Sequence, residues 1–197
     1  MYTIGIDTSH RFLLVALIKD DRLLDSVQLE CFKHQSEYLV PEVQKLLAGY
    51  DLKVNDIENW VVTRGPGSYT GVRIGMTMVK VIGSLMKKNV YTLSTLQLYA
   101  GLDDTYVIMD ARARRVYVGR YRDGKAVMED TVYTNEHMAE LIAEGAAVEG
   151  DLHLFGKDDI YGSLAENFVL LKPYWEKVEN VDLLAPSYLK DSEEYLK

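Results

Sequence analysis

The sequence predicts a mixed α/β protein that begins with antiparallel strands. Three apolar runs separated by short polar turns open the chain, at residues 2–6, 12–18 and 23–32, and consecutive strands joined by tight turns pair antiparallel. Apolar side chains then recur at helical spacing over residues 36–48 and 71–87, with strand-like runs between and after them. This alternation of strands and helices is typical of the α/β class.

The other elements follow from capping and turn residues. Ser36 is the expected N-cap of the first helix, in whose early turns Pro41 falls, and Ser94 or Thr95 caps a short helix that ends at Ala100. Asp123-Gly124 predicts a hairpin. The remaining predictions are strands at 60–63, 90–93, 106–110, 116–121, 127–133 and 152–155, and helices at 135–144 and at the end of the tail 186–197.

Two blocks of the chain begin alike. Each opens with a strand that ends in aspartate, Asp7 in the first block and Asp110 in the second, followed by a turn and further strands. This self-similarity indicates a duplicated lobe. We therefore predict an N-terminal lobe over residues 1–104 and a C-terminal lobe over residues 105–197.

Composition and charge exclude several classes of protein. The 197 residues include 22 Lys and Arg against 30 Asp and Glu, a formal net charge of −8, which argues against a protein whose overall charge attracts nucleic acid. The single cysteine, Cys31, has no partner for an internal disulfide and is interpreted as a small buried side chain. With no signal peptide and no apolar run long enough to span a membrane, we expect a soluble, cytoplasmic protein.

A glycine-rich loop precedes the second long helix. Gly65, Gly67 and Gly71 lie in it, but their spacing departs from the dinucleotide fingerprint, and the Gly-Lys-Ser/Thr sequence of a P-loop is absent from the sequence here. Free backbone N–H groups at the start of the helix, with Arg73 in its first turn, are suited to an anion. A tight turn that needs glycine dihedral angles explains the loop equally well.

The helix at 71–87 is apolar around its whole circumference. Lys80 is the only charged residue between Arg73 and Lys87, whereas a surface helix shows a single apolar stripe. Such a helix is buried on two sides. The second side is interpreted as a partner surface, with a core helix enclosed in its own domain as the alternative.

Three polar features have both a functional and a structural interpretation. Asp7-Thr8-Ser9 is able to bind a hydrated cation or orient phosphates, but a turn closed by an Asx-type hydrogen bond is favoured. No two of the four histidines have helical ligand spacing, so no local metal motif is predicted. A basic hairpin is able to meet phosphate, although a solvated hairpin is favoured; its cations are Arg112, Arg114, Arg115, Arg120, Arg122 and Lys125.

Several segments together resemble the TsaB (YeaZ) family. The most specific is residues 65–75, GPGSYTGVRIG, with Lys80 after it. The others are residues 4–9 (IGIDTS), 34–37 (HQSE) with Pro41, 110–112 (DAR) with Val116 and Tyr117, and 186–190 (PSYLK). In this order they cover nearly the whole chain.

The resemblance implies an actin-like, Hsp70-like ATPase fold of the ribonuclease H-like kind, with two lobes of which the second is reduced. It also implies a non-catalytic partner of a TsaD-type threonylcarbamoyltransferase, required for threonylcarbamoyl modification of the adenosine beside the tRNA anticodon. The implied partners are a TsaD-like paralogue, a TsaE-like ATPase, a TsaC-like adenylate synthase as a functional link, tRNA through the complex, and a second copy of the chain when the paralogue is absent.

On this hypothesis the two long helices form the partner interface. Their apolar faces, together with the two cations of the second helix, are the expected contact residues. These are Leu39, Val43, Leu46, Leu47, Val72, Arg73, Met76, Val79, Lys80 and Met86.

The sequence departs from the catalytic relatives at the metal site. Those enzymes use a pair of histidines four residues apart, whereas Tyr38 stands four residues after His34 here, so we expect no metal and no catalytic residues. Asp7, Thr8 and Ser9 are the candidates for nucleotide binding, with no cofactor required and weak or interface-shared ATP or ADP. The alternatives are an ATPase or kinase-like enzyme that uses Asp7, and a peptidase, which no Ser–His–Asp order supports.

Overall fold

The first sheet of the computed structural model, which describes residues 1–189, has six strands. They are β1 (Tyr2–Asp7), β2 (Phe12–Lys19), β3 (Arg22–Glu30), β4 (Ile57–Thr63), β5 (Asn89–Leu93) and the short β10 (Glu176–Lys177). Their order in the sheet is β10-β5-β4-β1-β2-β3. Strand β1 pairs antiparallel with β2 and parallel with β4, and β4 pairs parallel with β5.

The second sheet has four strands in the order β8-β7-β6-β9. Strands β6, β7 and β8 form an antiparallel meander, and β9 pairs parallel with β6. The strands are β6 (Thr105–Asp110), β7 (Arg115–Arg122), β8 (Lys125–Thr134) and β9 (Val148–Gly150). The predicted hairpin is confirmed, because Arg122 pairs with Lys125 across Asp123-Gly124.

Five α-helices flank these sheets in the described part of the chain. They are α1 (Gln35–Ala48), α2 (Tyr69–Met86), α3 (Thr95–Ala100), α4 (Asn135–Ala143) and α5 (Leu164–Leu170). Short 3₁₀ turns lie at Val54–Asp56, Leu152–Phe155, Lys172–Tyr174 and Val181–Leu183. Within residues 1–189, no helix combines the length and apolar character needed to cross a bilayer.

The central strands of the first sheet, β1, β2 and β4, are buried on both faces, which explains why the sequence of β2 is one continuous apolar run. Leu13, Val15 and Leu17 pack on the side of α1 and α2. Leu14, Ala16 and Ile18 pack on the opposite side, against α3, α5 and residues of the second sheet. A third, smaller cluster lies between the second sheet and α4.

Two local predictions are wrong for physical reasons. His34, not Ser36, is the N-cap of α1, and Ser36 lies in the first turn of the helix. Leu152–Phe155 is a 3₁₀ turn rather than a strand. Gly150 adopts φ +105, which turns the chain away from the sheet, and the hydrogen bond from the Asp151 N–H to the Ile108 carbonyl is where the pairing of β9 with β6 ends. Ser94, one of the two predicted caps of α3, is the N-cap, and Thr95 is the first residue of the helix.

The lobe boundary between residues 104 and 105 stays a prediction. The strands of the first sheet come from residues 2–93 and from 176–177, so the chain returns to the first sheet near its end. Residues 186–189 are not helical, and the rest of the predicted tail helix lies outside the described residues.

Candidate functional site

A cleft of about 680 Å³ lies between the two sheets. Its walls come from the β1–β2 turn, the glycine-rich loop before α2, the β6–β7 loop and the segment after β9. The lining side chains include Ser9, His10, Arg11, Phe32, Tyr69, Asp110, Arg112, Asp151, His153 and Asp159. The cleft therefore joins residues more than a hundred positions apart in the sequence.

The Asp7 carboxylate is fully buried and saturated with hydrogen bonds. It accepts from the backbone N–H of Ser9 at 3.0 Å, from Ser9 Oγ at 2.5 Å, from Thr63 Oγ1 at 2.6 Å and from the Tyr99 hydroxyl at 3.2 Å. Burial, followed by the nearby Asp7 charge, raises the pKa of Tyr99 well above its ordinary value. Asp7 thus joins β1, β4 and α3 internally.

Thr8 and Ser9 are held against the start of α2. Thr8 Oγ1 donates to the Gly71 carbonyl at 2.7 Å and accepts from the Gly75 N–H at 3.0 Å. The Ser9 carbonyl accepts from the Ser68 N–H at 2.7 Å. The side chains of Asp7, Thr8 and Ser9 are buried and their polar atoms are bonded to the fold. Nucleotide binding by these three residues stays a prediction.

A network of polar side chains in the cleft connects the β1–β2 turn of the first sheet to the segment after β9 of the second sheet. Asp151, at 1 % side-chain exposure, meets His10 Nε2 at 3.0 Å and accepts from Arg11 at 2.9 Å. It also accepts from the Tyr161 hydroxyl and from the Asp110 N–H at 2.7 Å. The same guanidinium of Arg11 reaches Asp159 at 2.9 Å.

This network sets the charge state of Asp151. Burial by itself would raise its pKa, but the hydrogen bond and charge of His10 and the bond from Tyr161 hold the pKa well below its usual range. Burial and the bond to Asp151 raise the pKa of Tyr161 above its ordinary value. Asp151 is therefore an anion that links the two sheets.

One group of side chains in the described chain has the composition of a metal site. Ligand atoms of Asp151, His153 and Asp159 lie within 4.8 Å of one another. The Arg11 guanidinium already bridges both carboxylates, and His153 Nδ1 meets Asp159 at 2.8 Å. These contacts favour an internal ion-pair network over a cation, because Arg11 supplies the compensating charge.

Most of the predicted interface side chains lie in the protein's own core, which corrects the choice of contact residues. Several apolar members pack in one cluster with side chains of β1, β2 and β4, because each helix turns its apolar stripe to the sheet; they are Leu39, Val43, Leu46, Leu47 and Val79. The buried ones are Leu39, Val43, Leu46, Leu47, Val72, Met76 and Val79, and Met86 is partly buried against the same cluster.

The two predicted cations on α2 contact the chain itself. The Arg73 guanidinium lies 3.5 Å from the ring centroid of Tyr69, and Lys80 Nζ donates to the carbonyls of Asp182 and Leu184 at 3.0 and 3.1 Å. The exposed apolar side chains on α2 are instead Val81 and Leu85, at 51 % and 78 % exposure. The sequence analysis missed these two residues, because an apolar i, i+4 pair has the same pattern on an inner and on an outer face of a helix.

The basic hairpin is largely paired with acids. Arg112 meets Asp110 at 2.9 Å, Arg114 meets Glu136 at 2.5 Å, and Arg120 and Arg122 both reach Asp104. These pairs are mostly exposed, so they contribute little stability. A contact between this hairpin and tRNA stays a prediction.

The two sheets, the cleft between them and the order of their strands define an actin-like, ribonuclease H-like α/β protein. Residues 29–155 match the family model described as TsaD: tRNA N6-adenosine threonylcarbamoyltransferase. The chain belongs to this family, and its resemblance to the TsaB (YeaZ) proteins is confirmed by curated relatives.

Three relatives show the extent of the similarity. The tRNA threonylcarbamoyladenosine biosynthesis protein TsaB of Bacillus subtilis is 33% identical over 137 residues, 67% of this chain and 60% of that protein. TsaB of Escherichia coli is 27% identical over 75% of this chain and 71% of that protein. An uncharacterized Mycobacterium tuberculosis protein, Rv3421c, is 33% identical over 61% of this chain and 59% of its own length. The matched part thus spans about 60% of the Bacillus relative.

Solved structures support the fold. YeaZ from Pseudomonas aeruginosa superposes with a TM-score of 0.77 at 23% identity, covering 95% of this chain and 100% of that chain. A second structure, described as an uncharacterized protein with similarity to peptidase YEAZ from the same organism, gives a TM-score of 0.79 at 22% identity over 96% and 99% of the two chains.

Proposed function

We propose that this chain is a non-catalytic partner subunit of a TsaD-type threonylcarbamoyltransferase and is required for threonylcarbamoyl modification of the adenosine beside the tRNA anticodon. The names of its curated relatives, which are tRNA threonylcarbamoyladenosine biosynthesis proteins, support the pathway. The proposal includes a TsaE-like ATPase as a further partner, a functional link to a TsaC-like adenylate synthase, tRNA contact through the complex, and a homodimer when the paralogue is absent.

The outer face of α2 is the observation that carries the proposal. Val81 and Leu85 expose about half and three quarters of their surface, whereas the other apolar side chains of the helix are buried or half-buried. Leu183 of the neighbouring 3₁₀ turn is 77 % exposed, and that turn lies against α2. Exposed apolar side chains grouped on one face are typical of protein–protein contacts.

The environment of Asp7 supports a non-catalytic role. An ATPase or kinase-like enzyme needs this carboxylate to face the cleft and its ligands, whereas here four protein groups donate to it and it has no exposed surface. We therefore propose that the chain requires no cofactor of its own. Nucleotide, if bound, is shared at the interface with the partner.

Reconstituted tRNA modification tests the proposal. The assay contains the TsaD-type enzyme, the TsaE-like ATPase and the adenylate synthase, with and without this chain, and measures threonylcarbamoyladenosine by mass spectrometry of digested tRNA. We expect modification only when the chain is present. Full modification without it would contradict the proposal.

A charge on the outer face of α2 tests the surface. We expect Leu85→Glu to weaken association with the TsaD-type enzyme at least tenfold, because complex formation would bury the new carboxylate. Leu170→Glu is the matched control, since Leu170 is 48 % exposed on α5. Calorimetric titration measures both, and thermal unfolding checks that both variants are folded. Equal affinities of the two folded variants would exclude this face.

A further inference from the structure

The segment formed by residues 176–189, here called the C-terminal strap, runs along the first sheet and α2. It begins as β10, which pairs with Tyr91 and Thr92 of β5. The Val178 N–H then donates to the Val90 carbonyl at 2.9 Å. Val181 packs so closely on Gly83 of α2 that a Cβ on that glycine would lie 3.0 Å from it.

Two side chains of α2 fasten the middle of the strap through three hydrogen bonds. Lys80 Nζ donates to the carbonyls of Asp182 and Leu184, and Ser84 Oγ donates to Asp182 Oδ1 at 2.6 Å. These bonds are at least partly exposed to solvent. A segment held by exposed hydrogen bonds and few buried apolar side chains opens locally at low free-energy cost.

The end of the strap contacts the wall of the cleft. The Ser187 N–H donates to the Arg64 carbonyl at 2.7 Å, and its own carbonyl lies 2.9 Å from where a Cβ on Gly65 would be. The ring of Tyr188 stacks on Tyr69, with centroids 5.5 Å apart and planes at 26°. Tyr69 lines the cleft.

We propose that the C-terminal strap is a releasable clasp that positions Tyr69 at the mouth of the cleft. Lys80 and Ser84 hold the strap on α2, and the held strap places Tyr188 against Tyr69, with the Arg73 guanidinium 3.5 Å from the centroid of Tyr69 and 5.1 Å from that of Tyr188. The outer surface of α2 and the shape of the cleft are thereby coupled through one segment. The inference rests on these contacts alone and does not require the proposed partner.

Hydrogen–deuterium exchange of the full chain tests the clasp. We expect Lys80→Met to speed exchange at least tenfold in peptides covering 178–189 and, through loss of the Tyr188 contact, in peptides covering 64–72. Lys87→Met, at the C-terminal end of the same helix, is the matched control and should change neither. Faster exchange in the strap with unchanged exchange at 64–72 would overturn the proposal, as would no change in either segment.

A second variant keeps the test decisive if Lys80→Met does not fold. Tyr188→Ala removes the contact with Tyr69 but leaves the fastening at Lys80 and Ser84. We expect faster exchange at 64–72 with exchange at 178–184 unchanged. Unchanged exchange at 64–72 would mean that the loop is held by its other bonds, such as that from Ser68 to Ser9, and would overturn the proposal.

Discussion

Thr8 and Gly71 touch so closely that a Cβ on Gly71 would lie 2.2 Å from the Thr8 carbonyl oxygen, while Thr8 Oγ1 donates to the Gly71 carbonyl at 2.7 Å. The N-terminus of α2 is thus packed directly on the β1–β2 turn. This contact supports the interpretation of the glycine-rich loop as a tight turn, and anion binding at the loop stays a prediction.

Gly71→Ala should destabilise the protein through this contact. The added methyl group meets a backbone oxygen that cannot move without shifting β1, so we expect a loss of about 2–3 kcal/mol in the free energy of unfolding. Urea denaturation measures it. Gly49→Ala is the control, because Gly49 has φ −62 and its nearest neighbour would lie 3.4 Å from the Cβ. An equal, small effect of both substitutions would contradict the close contact.

Asp7→Ala should lower the free energy of unfolding, whether or not the protein binds a ligand at this position. The substitution leaves the hydroxyl groups of Thr63 and Tyr99 without their acceptor in a buried site, at a cost of about 2–4 kcal/mol. Thermal and urea unfolding measure the loss, with Asp158→Ala at an exposed position as the control. The nucleotide-binding alternative instead predicts tight binding of magnesium-ATP by the wild type, seen in calorimetry, and a fully stable Asp7→Ala variant that no longer binds.

The link between the sheets through Asp151 should make stability depend on pH in the acid range. Its folded-state pKa is depressed, so its contribution is present above the unfolded-state value of about 3.9 and is lost as pH falls below it. We expect the urea midpoint of the wild type to fall progressively as the pH decreases from about 4 toward the depressed folded-state pKa of Asp151. Asp151→Asn should lower the midpoint at pH 7 and flatten this acid limb.

The control for this prediction is Asp25→Asn. Asp25 is exposed, and its carboxylate accepts from the neighbouring Ser26 N–H and interacts with the Tyr50 hydroxyl at the surface, so this variant should keep the acid dependence of the wild type. An Asp151→Asn variant whose acid limb matches that of the wild type would assign the pH dependence to other carboxylates.

The candidate site was only partly predictable from the sequence. The pattern located the glycine-rich loop and the residues at the ends of β1 and β6, since strand ends and turns are local features. It did not bring His10 and Arg11 to Asp151 and Asp159, which lie about 140 residues further along the chain and meet only because two sheets pack together. No local periodicity reports such a contact.

The sequence by itself determined the α/β class, the continuous burial of β2, the Ser94 cap and the hairpin at Asp123-Gly124, because propensity, turn chemistry and hydrophobic period act over a few residues. Only the tertiary structure decided which sides of α2 are covered. Helical periodicity shows which residues share a face of the helix, but it does not show what each face packs against. In this structure the first sheet covers Val79, and Lys80 donates a hydrogen bond to the C-terminal strap. Leu85 remains 78 % exposed, because no segment of the described chain covers its side chain as the sheet covers that of Val79.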